Sequence, residues 1–174
     1  MIEKIQKLDE KVSVYVNTKL KHKYLDYFFV AATYLGSDIF AIGFILAFTF
    51  LPVRNIEAFA LYTAISLLLT SLTVSIIKNT VKRKRPFESI PNLQSIKIGI
   101  DQYSFPSGHT AAAFSLAVTS ALVTSGHVAS TIYVLLAVIV AASRIYLGVH
   151  YLSDVTVGAL IGSFFATLVH LIRG

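Results

Sequence analysis

A histidine, an arginine and an aspartate stand together in SRIYLGVHYLSD, near the end of a very apolar chain. His150 and Asp154 are four residues apart, so on a helix they share one face and the carboxylate can hold the imidazole by a hydrogen bond. Such a bond fixes the tautomer and supports positive charge on the ring, as acid–base and nucleophilic histidines require. Arg144 precedes this pair, and Gly148 permits a turn between them. The alternative is a structural ion pair of Arg144 with Asp154 and an ordinary interfacial histidine.

A second polar cluster, FPSGHT, stands at the head of a long apolar segment. Pro106 near a helix start, followed by Ser107 and Gly108, leaves backbone N–H groups free, and such a helix N-terminus binds anions. His109 belongs to the same turn. The alternative is an ordinary capped helix in which His109 is incidental.

The third cluster is KNTVKRKRP, which begins at Lys78 and contains Arg85. Lys78 follows an apolar run and projects from a helix end, where a cation needs an anionic partner or must extend to the interface. For Lys82, Arg83 and Lys84 a simpler interpretation is open: a basic flank that stops membrane transfer.

The composition favours a membrane protein. Of the 174 residues 55% are hydrophobic and 14% are charged, and the mean hydropathy is +0.71, far from the profile of a soluble domain. Residues 2–19 form an amphipathic pattern suited to the interface, and residues 25–35 are too short to cross a bilayer. Five longer apolar segments follow, at about 39–53, 56–79, 107–125, 128–147 and 151–172.

We therefore predict an all-α, multi-pass transmembrane bundle of five to six spans with an N-terminal amphipathic helix. No linker divides it, so residues 1–35 are expected to form interfacial helices and residues 36–174 the membrane-embedded domain. The net charge of +6 is typical of contact with lipid headgroups, and no nucleic-acid partner is expected. Without cysteine, thiol catalysis and thiolate metal sites are excluded.

The topology brings the three clusters together. If the last four segments each cross once, all three clusters lie on one membrane face. Three cations, a helix N-terminus, two histidines and one carboxylate there describe a pocket for a multiply charged anion, most economically a phosphate. A metal site built from His109, His150 and Asp154 is the competing chemistry, but the nearby cations would repel a divalent ion. Neither metal nor cofactor is expected.

At this point the residues resemble a known family. The chain contains, in order, Lys78-x6-Arg85-Pro86, Pro106-Ser107-Gly108-His109 and Ser143-Arg144-x5-His150-x3-Asp154. These stretches resemble the three-part signature of the type 2 phosphatidic acid phosphatase superfamily over roughly residues 36–172. That family includes phosphatidylglycerophosphate, undecaprenyl pyrophosphate and lipid A phosphatases, and its fold is shared with vanadium haloperoxidases.

The resemblance implies a role for each matched residue. His150 would be the nucleophile that forms a phosphohistidine, and Asp154 would orient it. His109 would act as general acid and then as general base. The non-bridging phosphate oxygens would be bound by Lys78, Arg85, Ser107, Gly108 and Arg144. No metal enters such a scheme.

The implied function is hydrolysis of a phosphomonoester or diphosphate on a membrane phospholipid or polyprenyl lipid. Undecaprenyl pyrophosphate, phosphatidylglycerophosphate, phosphatidic acid and lipid A 1-phosphate all remain candidates. A non-catalytic lipid-phosphate binder or transporter is the alternative, although it has no use for paired histidines. The apolar segments oppose a soluble haloperoxidase-like enzyme, and interfacial polar groups oppose a purely structural protein. The resemblance favours a multi-pass cell-membrane protein whose site faces outward, whereas a positive-inside count favours the cytoplasm.

Overall fold

A computed structural model describes residues 2–50, 56–124 and 126–173. The structure is 79% helical, with no strand in the described ranges. The expected turn at residues 52–55 and the predicted segment end at residue 125 lie outside the described residues. The helices are α1 (Ile2–Lys19), α2 (Lys23–Thr33), α3 (Asp38–Phe50), α4 (Ile56–Val81), α5 (Pro86–Ser89), α6 (Gly108–Val123), α7 (His127–Tyr146) and α8 (Leu152–Arg173).

Within the described residues, three helical stretches are long and apolar enough to cross a membrane: Phe59–Ser89, His127–Tyr146 and Leu152–Ile172. The pair Lys23–Gly36 and Asp38–Thr49 also passes as a unit, but it is bent by 54° and is a broken span or a re-entrant loop. Gly108–Val123 is a shorter apolar helix. The prediction of an all-α, multi-pass bundle is confirmed, and the span count roughly agrees with it.

Helix α6 lies at the centre and packs against α4, α7 and α8. Gly158 and Gly162, one turn apart on α8, allow the closest approach. A Cβ on Gly158 would lie 2.6 Å from the carbonyl oxygen of Ser107, and one on Gly162 would collide with the carbonyl of Ala111. Small residues at this spacing let two membrane helices touch through their backbones. The first turns of α6 and α8 therefore meet, and the Ser107 N–H donates to the Asp154 carbonyl at 3.0 Å.

The amphipathic helix α1 packs against α7 and α8. Its buried side chains are polar, Asp9 at 1% and Ser13 at 3% exposure, whereas Ile5, Leu8 and Tyr15 are exposed. Val16 also packs against a buried apolar cluster, so the face of α1 that meets the protein carries both polar and apolar side chains. The domain boundary after residue 35 stays a prediction.

Candidate active site

One cavity of about 270 Å³ opens where the three polar clusters meet. Five of the eight predicted site residues line it: Lys78, Arg85, Gly108, His109 and His150. The other three are fully buried around it: Ser107, Arg144 and Asp154. The structure therefore brings the eight residues together, five of them lining the cavity and three buried beside it.

A tight turn between α7 and α8 delivers His150. Gly148 has φ +72°, a conformation that favours glycine. A Cβ there would also lie 2.8 Å from Cδ2 of Leu93 and 2.9 Å from the carbonyl oxygen of Gln94. The His150 N–H donates to the Arg144 carbonyl at 3.2 Å. This turn places the imidazole, 2% exposed, in the wall of the cavity.

The two ring nitrogens of His150 face opposite charges. Nε2 lies 3.3 Å from Nη1 of Arg85, and because a guanidinium only donates, Nε2 must accept. The proton of the neutral ring therefore sits on Nδ1, which faces Oδ2 of Asp154 at 3.5 Å. At that distance Nδ1 has no hydrogen-bond partner among the described residues. The hydrogen bond expected between His150 and Asp154 is therefore not formed in this state.

Burial lowers the pKa of His150 to about 4. Asp154 opposes this shift, while the positive charges of Arg144 and Arg85 reinforce it. The ring is accordingly neutral near pH 7, with the Nε2 electron pair directed toward Arg85.

Asp154 is fixed by groups other than His150. Arg83 donates from Nη1 to Oδ1 at 2.7 Å, the Tyr151 N–H donates to Oδ2 at 2.8 Å, and the Ser104 hydroxyl also donates to Oδ2. The alternative of an Arg144–Asp154 ion pair is wrong, because the guanidinium beside Asp154 is that of Arg83.

A carboxylate occupies the cationic part of the cavity. Lys78 Nζ donates to both oxygens of Asp101, at 2.8 and 2.6 Å, and Arg85 Nη2 donates to Oδ1 at 2.7 Å. Burial by itself raises the pKa of Asp101, but hydrogen bonds and charges from Lys78 and Arg85 outweigh it and hold this pKa below its ordinary value. The site therefore already holds one anionic group between two cations.

Arg144 braces the loop that carries Asp101. Its Nη1 donates to Thr33 Oγ1 at 2.7 Å and to the Ile98 carbonyl at 3.0 Å, and its Nη2 donates to the Gly99 carbonyl at 2.8 Å. In this state Arg144 thus binds loop carbonyls, although its charge still acts on His150.

The start of α6 supplies the remaining predicted groups. Ser107 caps the helix, accepting the Thr110 N–H at 3.4 Å, so its hydroxyl serves the helix end here. His109 lies directly under the loop: a Cβ on Gly99 would come within 2.5 Å of its Nε2. Gly99 also has φ +55°. Only glycine lets the loop cover His109 this closely.

Sequence reasoning missed four residues around the site: Asp9, Arg83, Ser104 and Asp101. Lys82 and Lys84 are exposed, as a basic flank would be, but Arg83 between them turns inward. For Asp9 a signal was present, since an acid four residues after Ile5 falls within the apolar stripe of α1.

The described residues contain no group of three or more His, Cys, Asp or Glu side chains arranged to hold a metal ion. His109, His150 and Asp154 therefore do not form the alternative metal site in this arrangement.

A family comparison matches residues 59–174 to the PAP2 superfamily. The chain is 28% identical to the probable lipid phosphate phosphatase beta of Arabidopsis thaliana, over 89% of this chain and 84% of that protein. It is 33% identical to an undecaprenyl-diphosphatase of Sulfolobus acidocaldarius, over 60% of this chain and 50% of that protein. The chain thus matches half the length of this second relative.

Solved structures show the same architecture. LpxE of Aquifex aeolicus superposes with a TM-score of 0.81 at 28% identity, covering 93% of this chain and 94% of that one. A PAP2-type phosphatidylglycerolphosphate phosphatase of Bacillus subtilis superposes with a TM-score of 0.83 at 23% identity, covering 98% and 86%. At this lower identity the likeness shows the fold alone.

Proposed function

Because the chain belongs to the PAP2 superfamily, we propose that it is an integral membrane lipid phosphatase, which hydrolyses a phosphomonoester or diphosphate on a lipid. The observation that carries this proposal is the Asp101 carboxylate held by Lys78 and Arg85. It marks an anion position next to Nε2 of His150, because one Arg85 guanidinium contacts both groups. A lipid phosphate that displaced Asp101 would lie between the same cations and beside a nucleophile.

The proposed reaction has two steps. The Nε2 electron pair of His150 attacks phosphorus, forming a P–N bond as the bond to the lipid or diphosphate leaving oxygen breaks. His109 gives its proton to that oxygen and then takes one from water, whose oxygen attacks phosphorus as the P–N bond breaks, so that inorganic phosphate leaves and His150 recovers its electron pair. Asp154 stabilises the charged ring. Lys78, Arg85 and Arg144, with the start of α6 at Ser107 and Gly108, stabilise charge on the other phosphate oxygens.

This chemistry needs no metal in our proposal. Lys78, Arg85 and Arg144 supply the positive charge that a divalent ion would bring to a phosphate, and their repulsion disfavours a cation at the same place. Phosphate release is accordingly expected to persist with a chelator present.

The cavity also suggests where the rest of the substrate lies. Below Lys78 its wall on α4 includes Ser75, Ser71 and Thr70, and Thr70 Oγ1 is buried without a hydrogen-bond partner among the described residues. Eight residues of helix span about 12 Å, so polar groups follow α4 down from Lys78. A lipid with further polar atoms next to its phosphate would satisfy them.

The test is phosphate release by detergent-purified protein from undecaprenyl pyrophosphate, phosphatidylglycerophosphate, phosphatidic acid and lipid A 1-phosphate, with chelator. We expect release from at least one lipid, its loss in His150→Ala, and full retention in His127→Ala, since His127 is an exposed histidine at the far end of α7. Lipid binding without release would instead indicate a binder or transporter, and activity in His150→Ala would exclude the phosphohistidine.

We also propose that the cavity opens on the outer face of the cell membrane, as the family resemblance favours. Arg83 on this face is neutralised by acids and Lys78 and Arg85 serve the anion site, so these residues do not count in a positive-inside comparison.

A further inference from the structure

The carboxylate of Asp154 is linked to helix α1 by a single guanidinium. Arg83 donates from Nη1 to Oδ1 of Asp154 at 2.7 Å and from Nη2 to Oδ2 of Asp9 at 2.8 Å. The Arg83 guanidinium also lies 4.0 Å from the centre of the Tyr151 ring, which limits its movement from one side. The two acids are thus held in a fixed relation to one another.

Asp9 has a second attachment, to the first turn of α8. Its Oδ1 accepts the Ser153 N–H at 2.9 Å, and its Oδ2 accepts the Ser153 hydroxyl. That hydroxyl also accepts from Arg83 Nη1 at 2.7 Å. Since Ser153 directly precedes Asp154, Asp9 fixes both the backbone and the ion-pair partner of the acid that faces His150.

The burial of this group excludes an ordinary surface ion pair. The side chains of Asp9 and Asp154 are 2% and 0% exposed, and that of Arg83 is 23% exposed. A buried carboxylate without its partner is strongly destabilised. The exposed Lys82 and Lys84 show that neighbouring cations on the same stretch remain in solvent.

We propose that Asp9 and Arg83 are positioning residues for Asp154, so that the amphipathic helix α1 is part of the device that orients the His150–Asp154 pair. The inference rests on the proposed function of that pair. Asp154 binds Arg83, Ser104 and the Tyr151 backbone, and it stands 3.5 Å from His150 Nδ1. Its direction toward the ring is therefore set by these partners.

The first test measures kcat and KM in Asp9→Asn, in Arg83→Gln and in the double variant that carries both substitutions. The control is Glu10→Gln. Glu10 is the next residue on α1 and is exposed, so its replacement removes one negative charge, as Asp9→Asn does, but at a position in solvent. We expect each single variant to lower kcat about 10- to 100-fold, as misplacement of a catalytic group does. KM should stay within about twofold, because neither residue lines the cavity, and Glu10→Gln should match the parent.

The double variant separates positioning from independent packing. Because Asp9 and Arg83 act on the same carboxylate, the double variant should lose less activity than the sum of the two single losses in free energy, whereas two independent packing effects would add. Additive losses, a loss confined to KM, or an equal loss in Glu10→Gln would each overturn the proposal.

A second readout follows the pKa of His150 without turnover, by NMR titration of histidine-labelled protein, with His150→Gln to assign the signal. The charged or titratable groups that face His150 are Arg85, Arg144, His109 and Asp154, and of these only Asp154 contacts Arg83. Because Asp154 acts to raise the pKa of His150, a displaced Asp154 should lower this pKa in both Asp9→Asn and Arg83→Gln, whereas Glu10→Gln should leave it unchanged. A His150 pKa equal to that of the parent in either variant, or an equal shift in Glu10→Gln, would overturn the proposal.

The two readouts also separate this inference from the proposed function. A lowered His150 pKa in both Asp9→Asn and Arg83→Gln, in a protein that releases no phosphate from any lipid, would sustain the Asp9–Arg83 link and overturn the phosphatase. Phosphate release that depends on His150 but is unchanged in Asp9→Asn and Arg83→Gln would sustain the phosphatase and overturn the link.

Discussion

Asp101 lies with both carboxylate oxygens against Lys78, at 2.6 and 2.8 Å from Nζ. The lysine side chain is 10% exposed, whereas that of the aspartate is 59% exposed. The acid therefore reaches the buried cation from an exposed position on a loop. A phosphate entering the cavity meets an anion already bound to the cations that it needs.

Replacing Asp101 by asparagine should strengthen anion binding. The variant removes a charge that competes for Lys78 and Arg85, so the inhibition constant of inorganic phosphate is expected to fall about tenfold, equal to ~1.4 kcal/mol. Inhibition of lipid hydrolysis by added phosphate measures it, with Gln102→Ala, at an exposed neighbouring residue, as control. Unchanged or weaker inhibition in Asp101→Asn would contradict competition by this carboxylate.

The turn at Gly148 should tolerate no side chain. Alanine there would keep a left-handed conformation at a cost of roughly 1–2 kcal/mol and would contact Leu93 and Gln94. We expect Gly148→Ala to lower both the melting temperature and kcat, because His150 is two residues away. Gly43→Ala is the matched control, since a Cβ there meets nothing within 4 Å. Parent-like kcat and melting temperature in Gly148→Ala would show that the turn does not position His150.

His109 should be needed more for the second step than for the first when the leaving group is good. An aryl phosphate leaves with little protonation, so His109→Gln should still form the phosphohistidine but should activate water poorly. Acid-labile, phosphate-labelled protein is then expected to accumulate in His109→Gln. It should be absent from His150→Ala and from the variant that combines His109→Gln with His150→Ala. Equal labelling in parent and His109→Gln would argue against His109 as the base.

The pKa of His150 gives a prediction with a definite sign. Burial holds this pKa at about 4, below the ordinary value of 6.5, so the ring stays neutral as pH falls from 7 and gains its proton only near pH 4. NMR titration should find this midpoint in the free protein. Since Asp154 acts to raise the pKa of His150, Asp154→Asn should move the midpoint lower still. A midpoint near 6.5 would show that the ring is not held neutral by burial.

Much of this site follows from the positions of residues at helix ends. Lys78, Arg144 and Asp154 stand at the ends of apolar segments, and counting spans is enough to bring those ends together. Asp101 has no such signal, because the irregular path of residues 90–107 decides where its carboxylate goes. Loops of this kind have no periodicity from which a contact can be inferred.

The inward direction of Arg83 was unpredictable for a different reason. Between Lys82 and Lys84 it fits a basic membrane flank, and only the contact of α1 with α8 reveals its partners. An amphipathic pattern shows that one face of α1 is apolar, but not whether that face meets lipid or protein. Here the face that meets the protein contains the buried polar Asp9 and Ser13 as well as Val16.

The orientation of the cavity can be tested by labelling, because the chain has no cysteine. Lys97 is exposed on the loop that covers the site, and His127 is exposed at the opposite end of α7. In intact cells a membrane-impermeant maleimide should label Lys97→Cys, and it should label His127→Cys only after permeabilisation. The positive-inside rule depends on which basic residues are counted on each side of the membrane. The lysines of α1 lie on the cavity side and favour the cytoplasm, whereas Arg83 is neutralised by Asp9 and Asp154 and does not contribute. The reverse labelling pattern would place the cavity in the cytoplasm and restrict its substrates to lipids of the inner leaflet.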